Sequence, residues 1–99
     1  MQTKMDVLEQ LKSSKTFLSS KYNISKLGLF GSFARDEATA NSDIDILFEV
    51  EENKKLSLFD YLHLAKDLEQ TFQAKVDLVR ESTLKTGLKP YIYKDIVYV

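Results

Sequence analysis

The sequence predicts one small α/β (α+β) domain over residues 1–99, a mixed β-sheet flanked by helices. Three observations predict it. Short apolar runs of strand character alternate along the chain with longer runs of helical periodicity. No linker, internal repeat or low-complexity stretch divides the 99 residues. Hydrophobic residues make up 43% of the chain, enough for a modest core, because small domains leave much of their surface in water.

The elements read in the order helix, strand, helix, strand, helix, strand, helix. Residues 3–21 form an amphipathic helix in which Met5, Leu8, Leu11 and Leu18 recur on one face. Asn23 ends that pattern. Leu27-Gly28-Leu29-Phe30 is a short buried strand. Gly31-Ser32 breaks it, and Ser32 is placed to cap a helix through Phe33-Ala34-Arg35. Glu37 to Ser42 is a polar loop, and Ile44 to Val50 is the clearest strand in the chain. After the charged turn Glu51 to Lys55, Ser57-Leu58-Phe59-Asp60 has the form of a capping box with Asp at its third helical position. The helix that it opens runs to about Phe72, with Leu58, Leu62, Ala65, Leu68 and Phe72 as its apolar face. Lys75 to Val79 is a third strand. Leu88 to Lys94 is a last short helix with Pro90 near its start, where a missing N–H costs little, and Val97-Tyr98-Val99 is a terminal strand or coil.

Composition narrows the function. The net charge is −1, and lysine and arginine are scattered rather than gathered in a stripe, so no direct DNA binding is expected. The chain has no cysteine, which excludes disulfides and thiolate metal sites and fits a cytoplasmic protein. The N-terminal segment lacks the apolar stretch of a signal peptide, and no apolar run approaches the roughly 20 residues that cross a bilayer.

The chemistry gathers around Asp43-Ile44-Asp45-Ile46-Leu47-Phe48. Side chains alternate across a strand, so Asp43 and Asp45 share one face, about 7 Å apart along the backbone, and Ile44, Ile46 and Phe48 share the other. Two carboxylates that close repel each other unless a cation lies between them, and hard oxygen ligands select magnesium over zinc. Asp77, in Lys75-Val76-Asp77-Leu78-Val79, has the same alternation and is the natural third ligand if its strand lies beside residues 43–49. Three such carboxylates can hold two metal ions, a pair that activates an attacking oxygen and stabilises a leaving one. Upstream, Gly31-Ser32 follows a strand and opens a helix. Glycine lets the backbone approach a phosphate, the helix start offers free N–H groups, and the Ser32 hydroxyl adds a donor. Arg35, one turn on, is placed to neutralise phosphate charge.

Each piece alone has a plainer reading. A lone D-x-D is usually solvated charge, a lone Gly-Ser is usually a turn, Asp77 alone is an edge-strand charge, and Arg35 alone is a surface residue. The combination is more specific: Gly-Ser after an apolar strand, ten residues between Ser32 and Asp43, a second Asp two positions on, and a third within a later strand.

The segment GSFARDEATANSDID, Gly31 to Asp45, resembles the signature of the DNA polymerase β-like nucleotidyltransferase superfamily. It is most similar to the smallest branch, the MNT-type antitoxins that pair with HEPN toxins, and the resemblance extends from about Leu27 to Val99. It implies the polymerase β-like nucleotidyltransferase fold, with Asp43, Asp45 and Asp77 as ligands of two magnesium ions and Gly31 and Ser32 at the triphosphate. Members of this branch transfer AMP from ATP to a tyrosine of the partner toxin and so silence its ribonuclease activity. One departure is visible. Such sequences often read Ala-Arg-Gly where this one has Ala34-Arg35-Asp36, which replaces a flexible glycine and adds negative charge. The larger members carry extra domains that grip nucleic acid or small drugs. Nothing comparable follows here, which favours a protein acceptor.

The expected activity is therefore transfer of a nucleoside monophosphate, AMP from ATP, onto a hydroxyl of a HEPN-type partner. The alternatives are a non-catalytic module that masks its partner, or transfer to a small molecule or RNA. His63 reads as a structural histidine, since no ligand cluster surrounds it. Tyr22, Tyr91, Tyr93 and Tyr98 suit a partner interface or ordinary packing at the core edge equally well. Glu49 shares the face of Asp43 and Asp45, as support for the site or as a solvated strand end.

Overall fold

The computed structural model describes residues 2–99. Its elements run α1 (Lys4–Tyr22), β1 (Ile24–Phe30), α2 (Gly31–Ala34), β2 (Ile44–Val50), α3 (Leu58–Phe72), β3 (Val76–Arg80), α4 (Lys89–Tyr93) and β4 (Val97–Tyr98), with one-turn 3-10 helices at Glu81–Thr83 and Thr86–Leu88. The four strands form one mixed sheet in the order β3-β2-β1-β4. β1 is antiparallel to β2 and to β4, and β2 is parallel to β3. A parallel pair needs a crossover, and α3 supplies it.

Both long helices begin on capping boxes. Asp6 N–H donates to Thr3 Oγ1 at 3.1 Å while Thr3 N–H donates to Asp6 Oδ2 at 2.9 Å. Ser57 and Asp60 exchange the same two bonds ahead of α3, at 3.0 and 3.4 Å. Together they satisfy donors that a helix start leaves free. Both helices end on a left-handed residue, Asn23 (φ 60°) and Gln73 (φ 52°), a conformation that asparagine tolerates better than glutamine.

Each helix face agrees with the sequence expectation at Leu11, Leu18, Leu68 and Phe72, which are buried, and at Leu8 and Ala65, which pack against the core, and differs at three positions. In α1 the core stripe is Val7, Leu11, Leu18 and Tyr22, and Met5 is 62% exposed. In α3 it is Leu64, Leu68 and Phe72, with Tyr61 and Ala65 partly buried, while Leu58 and Leu62 are 70% and 52% exposed. Alternative apolar residues sit about one position off the true stripe in both helices. Packing against the sheet chooses between them where spacing alone does not.

These stripes cover Ile44, Ile46, Phe48 and Val50 of β2 and Leu27 and Leu29 of β1. Phe48 and Tyr61 pack with ring centroids 6.2 Å apart. Each fully buried Leu, Ile or Phe contributes roughly 1.5–3 kcal/mol. Leu47, of opposite parity, is buried as well, outside this cluster. On that second face the C-terminal segment closes over the sheet: a Cβ on Gly28 would stand 3.1 Å from Ile96 and Tyr98 side-chain atoms. Among the described residues no helix is long and apolar enough to cross a membrane.

Candidate active site

The acids meet through strand register. Parallel pairing sets Asp45 directly opposite Asp77, and antiparallel pairing sets Asp45 opposite Phe30, the last residue of β1. Asp43 lies two residues before Asp45, just ahead of β2. Alternation along adjacent strands puts all three on the face turned away from the α1 and α3 core. Asp43 and Asp77 are exposed and Asp45 is half-buried.

Gly31 closes the other side. Its φ is +76°, and a Cβ there would stand 1.9 Å from Asp45 Oδ2. Left-handed geometry disfavours side chains, and this contact forbids one outright. The Gly31 backbone is therefore pressed against the Asp45 carboxylate. The short helix α2 has Phe30 at its N-cap, with no side-chain capping bond, so Ser32 sits inside the first turn rather than capping it as the sequence suggested. Its half-buried side chain is left for another role.

Charge crowding appears at Asp45. Burial raises its carboxyl, Asp77 and Asp43 raise it further, and Arg35 pulls it partly back, leaving it at about 6 against an ordinary 3.8. The first effect is loss of water around the charged form, and the next is like-charge repulsion. Among the described residues no three acid or histidine side chains already form a closed metal-ligating group. Asp77 and Asp43 are both close enough to act on the charge of Asp45. This donor set is all carboxylate, and a hard divalent cation relieves such repulsion, so its chemistry fits magnesium.

Arg35 occupies the C-cap of α2, its Nη1 3.3 Å from Asp95 Oδ2 and its Nε 3.7 Å from Glu37 Oε2. Asp36 follows at φ 62°. Asp36 N–H donates to the Phe33 carbonyl at 3.2 Å and Glu37 N–H to the Ser32 carbonyl at 2.9 Å, the paired bonds of a Schellman turn. The position where the resemblance leads us to expect glycine thus takes the conformation that glycine favours, and aspartate adopts it here.

Of the remaining candidates, Glu49, Tyr22, Tyr93 and Tyr98 make structural contacts, while Tyr91 and His63 are exposed. Burial pushes the Glu49 carboxyl up, but hydrogen bonds from Val50 N–H, Arg80 Nε and Ser82 N–H outweigh it and hold the group low. Glu49 therefore ties the segment after β3 to β2. Tyr22 is in the core and donates to Asp67 Oδ2 at 2.5 Å. Tyr93 and Tyr98 both donate to Glu81 Oε2, Lys26 holds Glu81 Oε1, and Tyr91 is exposed. His63 is exposed on α3. Two contacts carry no sequence signal: the Arg35–Asp95 pair, which spans 60 positions, and the Tyr61 hydroxyl donating to the Leu78 carbonyl beside Asp77 at 2.5 Å.

Residues 11–99 match the family model described as a nucleotidyltransferase domain. The chain belongs to this nucleotidyltransferase family. It is 35% identical to the protein adenylyltransferase MntA of Thermococcus cleftensis, covering all of this chain and 98% of that one. It is 39% identical, end to end, to a Methanocaldococcus jannaschii protein provisionally named a protein adenylyltransferase. Its fold is similar to that of a solved structure provisionally described as a minimal nucleotidyltransferase. The TM-score is 0.80 at 25% identity, over 97% of this chain and 95% of that one. It is also similar in fold, at 20% identity and a TM-score of 0.68, to a chain of the complex between a tri-AMPylated Shewanella oneidensis HEPN toxin and its MNT antitoxin. That match covers 93% of this chain and 70% of the other. In this nucleotidyltransferase the Gly31-Ser32 turn and the three acids lie where β1, β2 and β3 converge.

Proposed function

We propose that this nucleotidyltransferase moves AMP from ATP onto a hydroxyl of a partner protein, as the antitoxin of a HEPN-type toxin. The observation that carries the reading is the contact of the Gly31 backbone with Asp45, which itself lies opposite Asp77. A triphosphate at the Gly31-Ser32 turn has its reacting phosphorus beside the acids. The adenylyltransferase names of relatives covering the whole chain support AMP as the transferred group. The toxin–antitoxin complexes of similar fold support a protein acceptor, and one of them, with AMP-PNP, supports an adenine nucleotide.

Gly31 and Ser32 bind the phosphates through backbone N–H groups and the serine hydroxyl, and Arg35 offsets their charge. Asp43, Asp45 and Asp77 are the residues that would hold magnesium, which when bound supplies Lewis-acid stabilisation of the phosphate oxygens. The acceptor oxygen forms its bond to the α-phosphorus in line as the bond to pyrophosphate breaks. Asp77, exposed on β3 opposite Asp45, takes the hydroxyl proton.

The test is the intact mass of a co-purified partner incubated with ATP and magnesium. One AMP unit per modified hydroxyl is expected with wild type and none with Asp43→Ala or Asp45→Ala. Full transfer by either variant would sink the mechanism. Suppression of the partner by the unreactive double variant would identify masking instead.

A further inference from the structure

Arg35 N–H donates to the Gly31 carbonyl at 3.1 Å, and the Gly31 backbone lies against Asp45, on whose carboxyl the arginine's charge acts. The Arg35 guanidinium meets Asp95, 3.3 Å from Nη1. Glu37 is farther, at 3.7 Å, and its side chain is 66% exposed, so water screens it as a competitor. The Asp95 side chain is only 17% exposed.

Asp95 is also held in place. Its N–H donates to the Ile92 carbonyl at 3.3 Å. The next residue, Ile96, packs on Gly28. Val97 and Tyr98 then pair with Leu29 and Gly28 of β1. The turn ahead of β4 therefore holds a carboxylate on Arg35, whose N–H closes on the Gly31 carbonyl, and β2 holds Asp45 against Gly31.

A guanidinium on a flexible stem beside a cluster of carboxylates is drawn to the cluster and competes there with a metal ion. We infer that Asp95 is a positioning residue that holds Arg35 at the Gly31-Ser32 turn and off the three aspartates, so that the arginine meets phosphate rather than taking the cation's place. This rests on the triphosphate reading above. It concerns a residue 60 positions from Arg35, outside the Gly-Ser and Asp-x-Asp pattern.

The test is calorimetric titration of the full chain with a non-hydrolysable ATP analogue at several magnesium concentrations, beside steady-state transfer. With Asp95→Asn, nucleotide affinity falls about tenfold, the loss is largest at low magnesium, and KM for ATP rises while kcat stays within about twofold. Asp95→Glu restores most of the affinity. Adding Asp95→Asn to Arg35→Gln weakens binding no further, because the arginine to be positioned is gone. That background also separates the effect from a weakened fold, since Asp95→Asn then moves the melting temperature without moving affinity. Affinity within twofold of wild type for Asp95→Asn, or losses that multiply in the double variant, would overturn the inference. Asp45→Ala is the control. If it leaves the magnesium dependence of nucleotide binding intact, the triphosphate reading itself fails; if it removes that dependence while Asp95→Asn binds normally, only the role of Asp95 falls.

Discussion

Replacing Asp45 with asparagine removes one charge from the crowded end of the sheet and leaves a side chain of the same shape beside Gly31. The Asp45 carboxyl titrates at about 6 in the folded protein, against 3.8 ordinarily, with burial as the largest cause. The acid is raised, so its ionised form is disfavoured by the fold. Wild-type stability from this group is present below about pH 4 and is lost as the pH rises through about 6. The difference of 2.2 between 6 and 3.8, at 1.36 kcal/mol each, has an upper bound of about 3 kcal/mol, and water screening at this half-exposed group leaves roughly half of that, about 1.5 kcal/mol, at pH 7.5. At pH 4.0, where the folded carboxyl is protonated and the unfolded one is about half ionised, the same linkage leaves about 0.3 kcal/mol. Asp45→Asn is neutral throughout, so without metal it is the more stable protein by those amounts. In urea, with a slope of about 1.5 kcal/mol/M, the midpoint rises by about 1 M at pH 7.5 and by about 0.2 M at pH 4.0. Far-UV circular dichroism at the two pH values is the assay. A midpoint that falls at pH 7.5, or a gain of equal size at both pH values, would refute the assignment of Asp45 as a charge held at the fold's expense.

Gly31→Ala drives a methyl group to 1.9 Å from Asp45 Oδ2 at a φ of +76°, so it costs more than about 2 kcal/mol and weakens nucleotide binding with it. Urea unfolding and nucleotide calorimetry on the same sample measure both, and a stable variant with normal affinity would contradict the close approach. Asp36→Gly relieves the left-handed strain at φ 62° and stabilises the chain by about 0.5–1 kcal/mol, read as a higher melting temperature. An unchanged or lower melting temperature would mean that the Asp36 carboxylate supports its turn in a way that the backbone geometry does not show.

Much of the site was legible because its information is local. Alternation in Asp43-Ile44-Asp45-Ile46 puts two acids on one face wherever the strand lies, and Ser57 with Asp60 announces a helix start in four residues. The pairing of Asp45 with Asp77 was conditional on which strands neighbour each other, a property of the whole sheet. Met5, Leu58 and Leu62 were misplaced on the helix faces because they fit a helical repeat as well as Val7 and Leu64 do. Ser32 misled for a related reason: a serine after a strand suits a cap, but Phe30 occupies the capping position and the helix starts at Gly31, two residues earlier than a Ser32 cap would start it. Asp95 was out of reach altogether, since nothing around it marks a partner in another part of the chain.

The crossover through α3 has a consequence for the order of assembly. Asp45 and Asp77 are 32 positions apart and become neighbours only when β3 is laid parallel to β2. A chain that has formed the β1–β2 hairpin alone feels none of their repulsion. The electrostatic penalty therefore falls on seating β3, and a divalent ion shared by the two acids would act as a clasp on that strand. Occupancy of the site and closure of the sheet's edge are, on this arrangement, one event.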